Sequence, residues 1–224
     1  GFISELYAPA DDQRIQPGER VFYTRQNALF LDSARQAIAT LPDEVQPFFL
    51  APLLAAASIH TNTAGIFKGF YKNADGTGQF GGRRHSALGR IIKNMTLQFP
   101  LFSNFCNDYC VTRLDATTFF PCPQLPEFDL AYLDPPYNQH PYGSNYHLLN
   151  TLVLWDKPAV SPTITGGAKS AIRTDWRTQR RSPYNYRGQA VAALANLVAA
   201  LRARCIVMSY STEGFIPVEE VAQV

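Results

Sequence analysis

The residues with the clearest chemical meaning are Asp134, Pro135, Pro136 and Tyr137, which directly follow the short apolar run Phe128–Leu133. The run has the look of a buried strand. Two prolines after it forbid both a continued ladder and a helix start, so they make a stiff extended corner. The C-terminal end of a strand is where an open α/β sheet places its ligand crevice. At such a corner the Asp134 carboxylate and the Pro135 carbonyl can accept hydrogen bonds from an amine, and the Tyr137 ring can stack on a flat substrate. Two acceptors and an aromatic face suit an aromatic amine such as that of adenine.

Asp134-Pro135-Pro136-Tyr137 resembles the DPPY motif of S-adenosylmethionine-dependent DNA methyltransferases that modify the exocyclic nitrogen of adenine. Upstream, Asn62, Gly65 and Phe67 are similar to the NxxGxF element of the Dam-like group. Downstream, Tyr142, Asn145, Tyr146 and His147 match a YxxNYH element. The resemblance implies an α/β fold, a Rossmann-like methyltransferase sheet with flanking helices and a small DNA-recognition insertion. It implies a catalytic role for residues 134–137, double-stranded DNA as partner, no metal, and S-adenosylmethionine as cofactor. Asp115 precedes Asp134 by 19 residues and matches the acidic residue that holds the cofactor's adenine amine; Asp134 also borders that site. Asp115 can equally cap a helix starting at Ala116. His147 invites a general-base reading. The reaction does not demand one, and a structural or DNA-contact role is expected.

The elements that must position these residues divide into residues 1–60, read as a helical part of the catalytic domain, a 61–100 target-recognition segment, and a 101–224 catalytic α/β part. Residues 1–26 are polar and turn-rich. A helix capped by Asn27 and a second from Asp43 toward His60 follow, with Pro52 placed to kink the second. Residues 61–94 interleave Lys68, Lys72, Arg83, Arg84, Arg90 and Lys93 with aromatic residues and one acid, Asp75, a local charge of +5 (six cations minus one anion). That suits a phosphate-tracking surface or a solvated loop. The resemblance favours DNA contact by Asn62, Gly65, Phe67, Lys68, Lys72, Arg83 and Arg84, joined by Tyr142, Asn145 and Tyr146. Strands are expected at 101–107 and, buried, at 205–210. Phe119 and Phe120 suit an apolar helix face, and 121–126 a turn. Asn145 is placed to cap a helix running to Trp155. A second basic loop spans 158–188, and an Ala/Leu-rich helix spans 189–204, ending in Arg202 and Arg204. A last helix begins at Val218.

Composition sets limits. The chain has 224 residues, 46% hydrophobic and 17% charged, with a net charge of only +2, so nucleic-acid binding must rest on local patches. No apolar run reaches membrane-span length and no signal peptide is apparent, which fits a cytoplasmic, bacterial, nucleoid-associated protein. The four cysteines and four histidines show no metal-ligand spacing, and reduced structural thiols are expected. One departure stands out. The FxGxG-like turn that cradles the cofactor's methionine end is not found, because Gly81-Gly82 and Gly166-Gly167 follow no strand. An incomplete sheet is therefore expected, with a missing N-terminal segment or a second chain supplying the rest. Three alternatives stand beside this reading: a guanine-N2 methyltransferase of ribosomal RNA, a catalytically incomplete DNA-binding fragment or subunit, and a non-binding structural domain, which a DPPY corner at a strand end disfavours.

Overall fold

The computed structural model describes the whole chain except residues 83, 117–126, 162–163, 165–172 and 177–179. It is a mixed α/β structure that divides into two units, residues 1–103 with 143–179, and residues 104–142 with 180–224.

The first unit is helical. Helix α1 (Ile3–Leu6) is a single turn, whose first amides, of Ile3 and Ser4, donate to the buried Asp32 carboxylate at 2.9 and 3.0 Å. Helix α2 (Arg25–Ile38) turns Ala28, Leu31, Asp32, Arg35 and Ile38 inward at helical spacing. Its cap is Thr24, whose side chain accepts from the Asn27 amide, so the expected cap Asn27 lies inside the helix and faces the interior. Helix α3 (Gln46–Ile59) starts three residues later than Asp43, carries Pro47 in its first turn and continues through Pro52. Helix α4 (Leu88–Ile92) closes the basic segment. Helix α5 (Tyr142–Asn145) is followed by α6 (His147–Leu154), and Tyr146, not Asn145, occupies the cap position of α6. Arg35 donates to the carbonyls of Leu152 and Val153 at 2.8 and 3.1 Å, satisfying orphan groups at the end of α6. The core joins Ile3, Tyr7, Val21, Phe22, Tyr23, Leu31, Leu53, Phe67 and Leu148. Much of it comes from residues 1–26. The polar reading of that segment fails because its apolar residues arrive in short clusters with no periodicity, yet each cluster plugs the core.

The second unit is built on a parallel pair, β1 (Phe128–Leu133) and β2 (Ala203–Met208), in register from Phe128 opposite Ala203 to Leu133 opposite Met208. Helix α7 (Arg187–Ala200) lays Ala190, Ala193, Leu194 and Leu197 against Leu133 and so covers one face. On the other face Leu130, Tyr132 and Val207 are 58%, 63% and 45% exposed. The expectation of a buried 205–210 strand is corrected accordingly: parallel strands need cover on both faces, and among the described residues this pair has it on one. No strand forms at 101–107, where Leu101 is 99% exposed, because nothing among the described residues pairs with it. Helix α7 ends at Ala200, short of Arg202, and Arg204 belongs to β2, where it meets Asp129 at 3.1 Å in full solvent. Helix α8 (Val218–Val221) ends the unit. Cys106, Cys110 and Cys205 are free but exposed, not core residues. Phe119, Phe120 and the 121–126 turn lie outside the described residues. Among the described residues no helix is long and apolar enough to cross a membrane, and no His, Cys, Asp or Glu cluster could hold a metal ion.

Candidate active site and nucleic-acid surface

In the second unit, β1 delivers Asp134 into the open and the two prolines hold the chain extended after it. The corner is braced along its length. The Ser209 amide donates to the Leu133 carbonyl at 2.9 Å, and the Phe215 amide donates to the Tyr137 carbonyl at 2.9 Å. Asn185 is almost fully buried and donates through Nδ2 to the Asn138 carbonyl at 2.8 Å, while its Oδ1 accepts from the Ser182 amide at 2.9 Å. The corner is thus clamped to the 3-10 turn Pro183–Asn185. Among the described residues, no hydrogen bond or ion pair engages the Asp134 carboxylate or the Pro135 carbonyl. Tyr137 is 38% exposed, with its ring edge-on to Tyr210 at 6.4 Å and 82°.

Beside the corner lies a cavity of about 440 Å³. Asp115, Asp134, Pro135 and Pro136 line it together with Tyr132, Ser182, Pro183, Tyr184 and Leu197. The expected cofactor acid and the expected catalytic corner are therefore neighbours around one cavity. Tyr184 is buried, and among the described residues its hydroxyl has no hydrogen-bond partner. Burial, followed by the Asp115 carboxylate and then Tyr210, pushes that phenol up to about 12, so it stays a protonated donor.

The first unit brings the two flanking motifs together on the main chain of Phe67. Its amide donates to the Asn145 carbonyl at 2.8 Å, and its carbonyl accepts from His147 Nε2 at 2.7 Å. A carbonyl only accepts, so the proton sits on Nε2. His147 is fully buried; burial and the charges of Arg173 and Arg20 outweigh the bond to Phe67 and push its pKa down to about 4. Such a group is a structural tie, not a base facing substrate. Asn62 is also fully buried. It donates to the Val21 and Gln79 carbonyls at 2.8 and 3.0 Å and accepts from the Gly81 amide at 3.1 Å. Asn62 and Phe67 thus sit beneath the segment and hold it. Gly65 is exposed at φ +104°, a conformation that favours glycine, and Tyr142 and Tyr146 are 41% and 39% exposed.

The cations divide by environment. Lys68 and Lys72 are half-buried and Arg84 is exposed; Arg83 lies outside the described residues. Arg90 is spent on structure, since its guanidinium donates to the carbonyls of Ile59, Thr61 and Thr63. In the second basic loop, Arg173 is buried between Asp156 and Asp175, with four contacts of 2.8–2.9 Å, over the Trp176 ring at 4.3 Å.

A family model described as D12 class N6 adenine-specific DNA methyltransferase matches residues 19–163. The chain belongs to this family. Among curated relatives, the type II methyltransferase M.NlaIII of Neisseria lactamica is 29% identical over 212 residues, covering 92% of this chain and 56% of its own length. Modification methylase StsI of Streptococcus sanguinis is 27% identical, covering 100% of this chain and 30% of its own length. The type II methyltransferase M.FokI of Planomicrobium okeanokoites is 26% identical, covering 100% and 31%. The chain therefore spans about half the length of the first relative and under a third of the other two. No solved structure matches the chain significantly.

All three motifs of this D12 methyltransferase chain fall within the matched span. Asn185, which sequence reasoning missed, and Tyr184, read there only as part of the second basic loop, lie beyond it. A signal was present: Ser182 with Asn185 three residues later and Pro183 between them spells a capped turn, and the reciprocal bonds of a capping box form there.

Proposed function

We propose that this chain carries the target-amine site of a site-specific DNA adenine-N6 methyltransferase of the modification type, acting within a Rossmann-like methyltransferase domain. The observation that carries the reading is the cavity at which Asp115, Asp134 and Pro135 meet, with no hydrogen bond or ion pair among the described residues engaging the Asp134 carboxylate or the Pro135 carbonyl. The family match does not favour the ribosomal RNA guanine alternative.

In this reading the target adenine leaves the duplex, at a cost of a few kcal/mol, because its amine is out of reach inside the stack. Tyr137 receives the base and returns about 1–3 kcal/mol through stacking. Asp134 and the Pro135 carbonyl accept the two amine hydrogens, which turns the nitrogen lone pair out of the ring plane. Catalysis is then orientation and electrostatics. The donor set also fits S-adenosylmethionine: Asp115 offers an acceptor for its adenine amine, and Pro183 and Leu197 offer apolar walls. When bound, that cofactor supplies an electrophilic methyl group. Lys68, Lys72 and Arg84 face phosphates, Gly65 gives close backbone approach, and Tyr142 and Tyr146, which follow the corner in the sequence, also contact DNA.

The test is methyl transfer from labelled cofactor to adenine-containing duplexes by the active enzyme with Tyr137 replaced. Tyr137→Phe keeps the ring and should retain much of the activity, whereas Tyr137→Ala should lose roughly 1–3 kcal/mol of stacking, about 5- to 150-fold in rate or affinity. A Phe variant as impaired as the Ala variant would assign the function to the hydroxyl instead. The DNA surface has its own check. Neutralising Lys68, Lys72 or Arg84 singly should weaken all duplexes alike and lower the slope of log affinity against log salt by about one. An unchanged slope in all three variants returns the segment to a solvated loop.

A further inference from the structure

The loop from Tyr71 to Leu88 is a built surface, not a slack one. Lys72 bridges to Gly78, and the Asn73 amide donates to the Thr77 carbonyl at 2.9 Å. Gly81 and Gly82 take φ of +84° and +71°, and a Cβ on Gly81 would stand 2.9 Å from Leu88 Cβ. At the centre of this loop is Gln79. Its amide donates to the Tyr71 carbonyl at 2.9 Å and its carbonyl accepts from Asn62 at 3.0 Å, so its main chain is fixed on both sides.

The side chain of Gln79 is fixed as well. His85, a non-glycine residue at φ +49°, folds its ring back so that Nδ1 meets the Phe80 carbonyl at 3.2 Å. That carbonyl only accepts, so Nδ1 carries the proton and Nε2 is left as an acceptor. Gln79 Nε2 then donates to His85 Nε2 at 3.1 Å, which fixes which way the amide points. Among the described residues, one acceptor, Oε1, and one remaining N–H stay unengaged on this half-buried side chain. A left-handed histidine is uncommon and persists only where its surroundings hold it. Here the product of that strained turn is an oriented amide in a loop otherwise supplied with cations.

We propose that Gln79 is a base-reading residue of the DNA surface, with His85 as its positioning residue. The oriented donor–acceptor pair fits the N6–H and N7 edge of adenine in the major groove. Cations set register on phosphates but carry no sequence information, so a neutral, oriented amide among them supplies what they lack. The inference rests on the DNA methyltransferase reading above.

The experiment is competition binding of the full chain to a duplex panel in which each base pair of a selected preferred site is varied. Gln79→Ala should abolish the preference for A·T at one position, lowering affinity for the preferred duplex about 5- to 150-fold. Non-preferred duplexes and the salt slope should not change. Gln79→Glu should move the preference at that position toward C, whose N4 amine is a donor. His85→Ala should relax the same position, and no other, to a smaller extent. If Gln79→Ala weakens all duplexes equally, or leaves every positional preference intact, the assignment is wrong while the DNA reading stands. If the unsubstituted chain binds no duplex at all, both fail.

Discussion

Replacing Asp134 by Ala in an active form of the enzyme is expected to slow methyl transfer at least about a hundredfold, the scale of losing one oriented electrostatic contact at a reacting group. The structure gives a reason to expect chemistry to suffer alone. Nothing among the described residues leans on the carboxylate. The corner is instead braced by main-chain bonds from Ser209 and Phe215 and by the side chain of Asn185. Removing the carboxylate therefore leaves the backbone path, the Pro135 carbonyl and the Tyr137 ring in position. Duplex affinity should change little, and so should the melting temperature. Asp134→Asn is the sharper probe. It keeps the shape and one acceptor oxygen but removes the charge and places a donor beside the amine. Single-turnover rates on a saturating duplex decide the matter, and turnover close to that of the unsubstituted enzyme would remove Asp134 from the mechanism.

The corner was legible in the sequence because its geometry is local. A six-residue, largely apolar run makes a strand, two prolines end it, and the acid and ring on either side of the prolines are placed by the chain itself. Asp115 was legible only through resemblance, since it stands 19 positions before Asp134 in the chain. What a side chain does once the chain folds back was not legible. Asn62 and Phe67 belong to a motif that suggested contact with DNA, yet both are interior, because a motif names residue types and not the direction in which they point. The arginines show the same limit. In sequence Arg90 and Arg173 are equivalent to Arg84, but three carbonyls claim the first and two carboxylates the second, whereas Arg84 stays exposed. Burial of the strands failed for a different reason. Apolar composition states that a strand needs cover, and only the neighbouring elements determine whether both of its faces receive it.

Acid should loosen the tie between the two flanking motifs, and His147 should account for it. In the unfolded chain its imidazole titrates at the ordinary value of 6.5, whereas in the folded chain burial, aided by Arg173 and Arg20, holds it down to about 4. Below pH 6.5 the unfolded state therefore takes up a proton that the native state refuses. Stability is fully present above that value, falls as the pH drops toward 4, and stops falling once both states are protonated. A separation of this size corresponds to about 3 kcal/mol, most of it lost by pH 4.5. The place of the loss follows from the geometry. Nε2 already holds its proton against the Phe67 carbonyl, so the incoming proton must go to Nδ1, which is sealed in the core with no partner among the described residues. The charged ring would then sit beside two arginines, and the strain falls on the contact between Phe67 and helix α6. Urea denaturation at pH 7.5 and pH 4.5 should show the drop in the unsubstituted chain and a drop smaller by about 2–3 kcal/mol in His147→Gln, which cannot titrate. Other acid-sensitive groups, such as the exposed carboxylates, are common to both chains and cancel in the difference. If both chains lose the same stability on acidification, the buried neutral imidazole is not the group that sets the response.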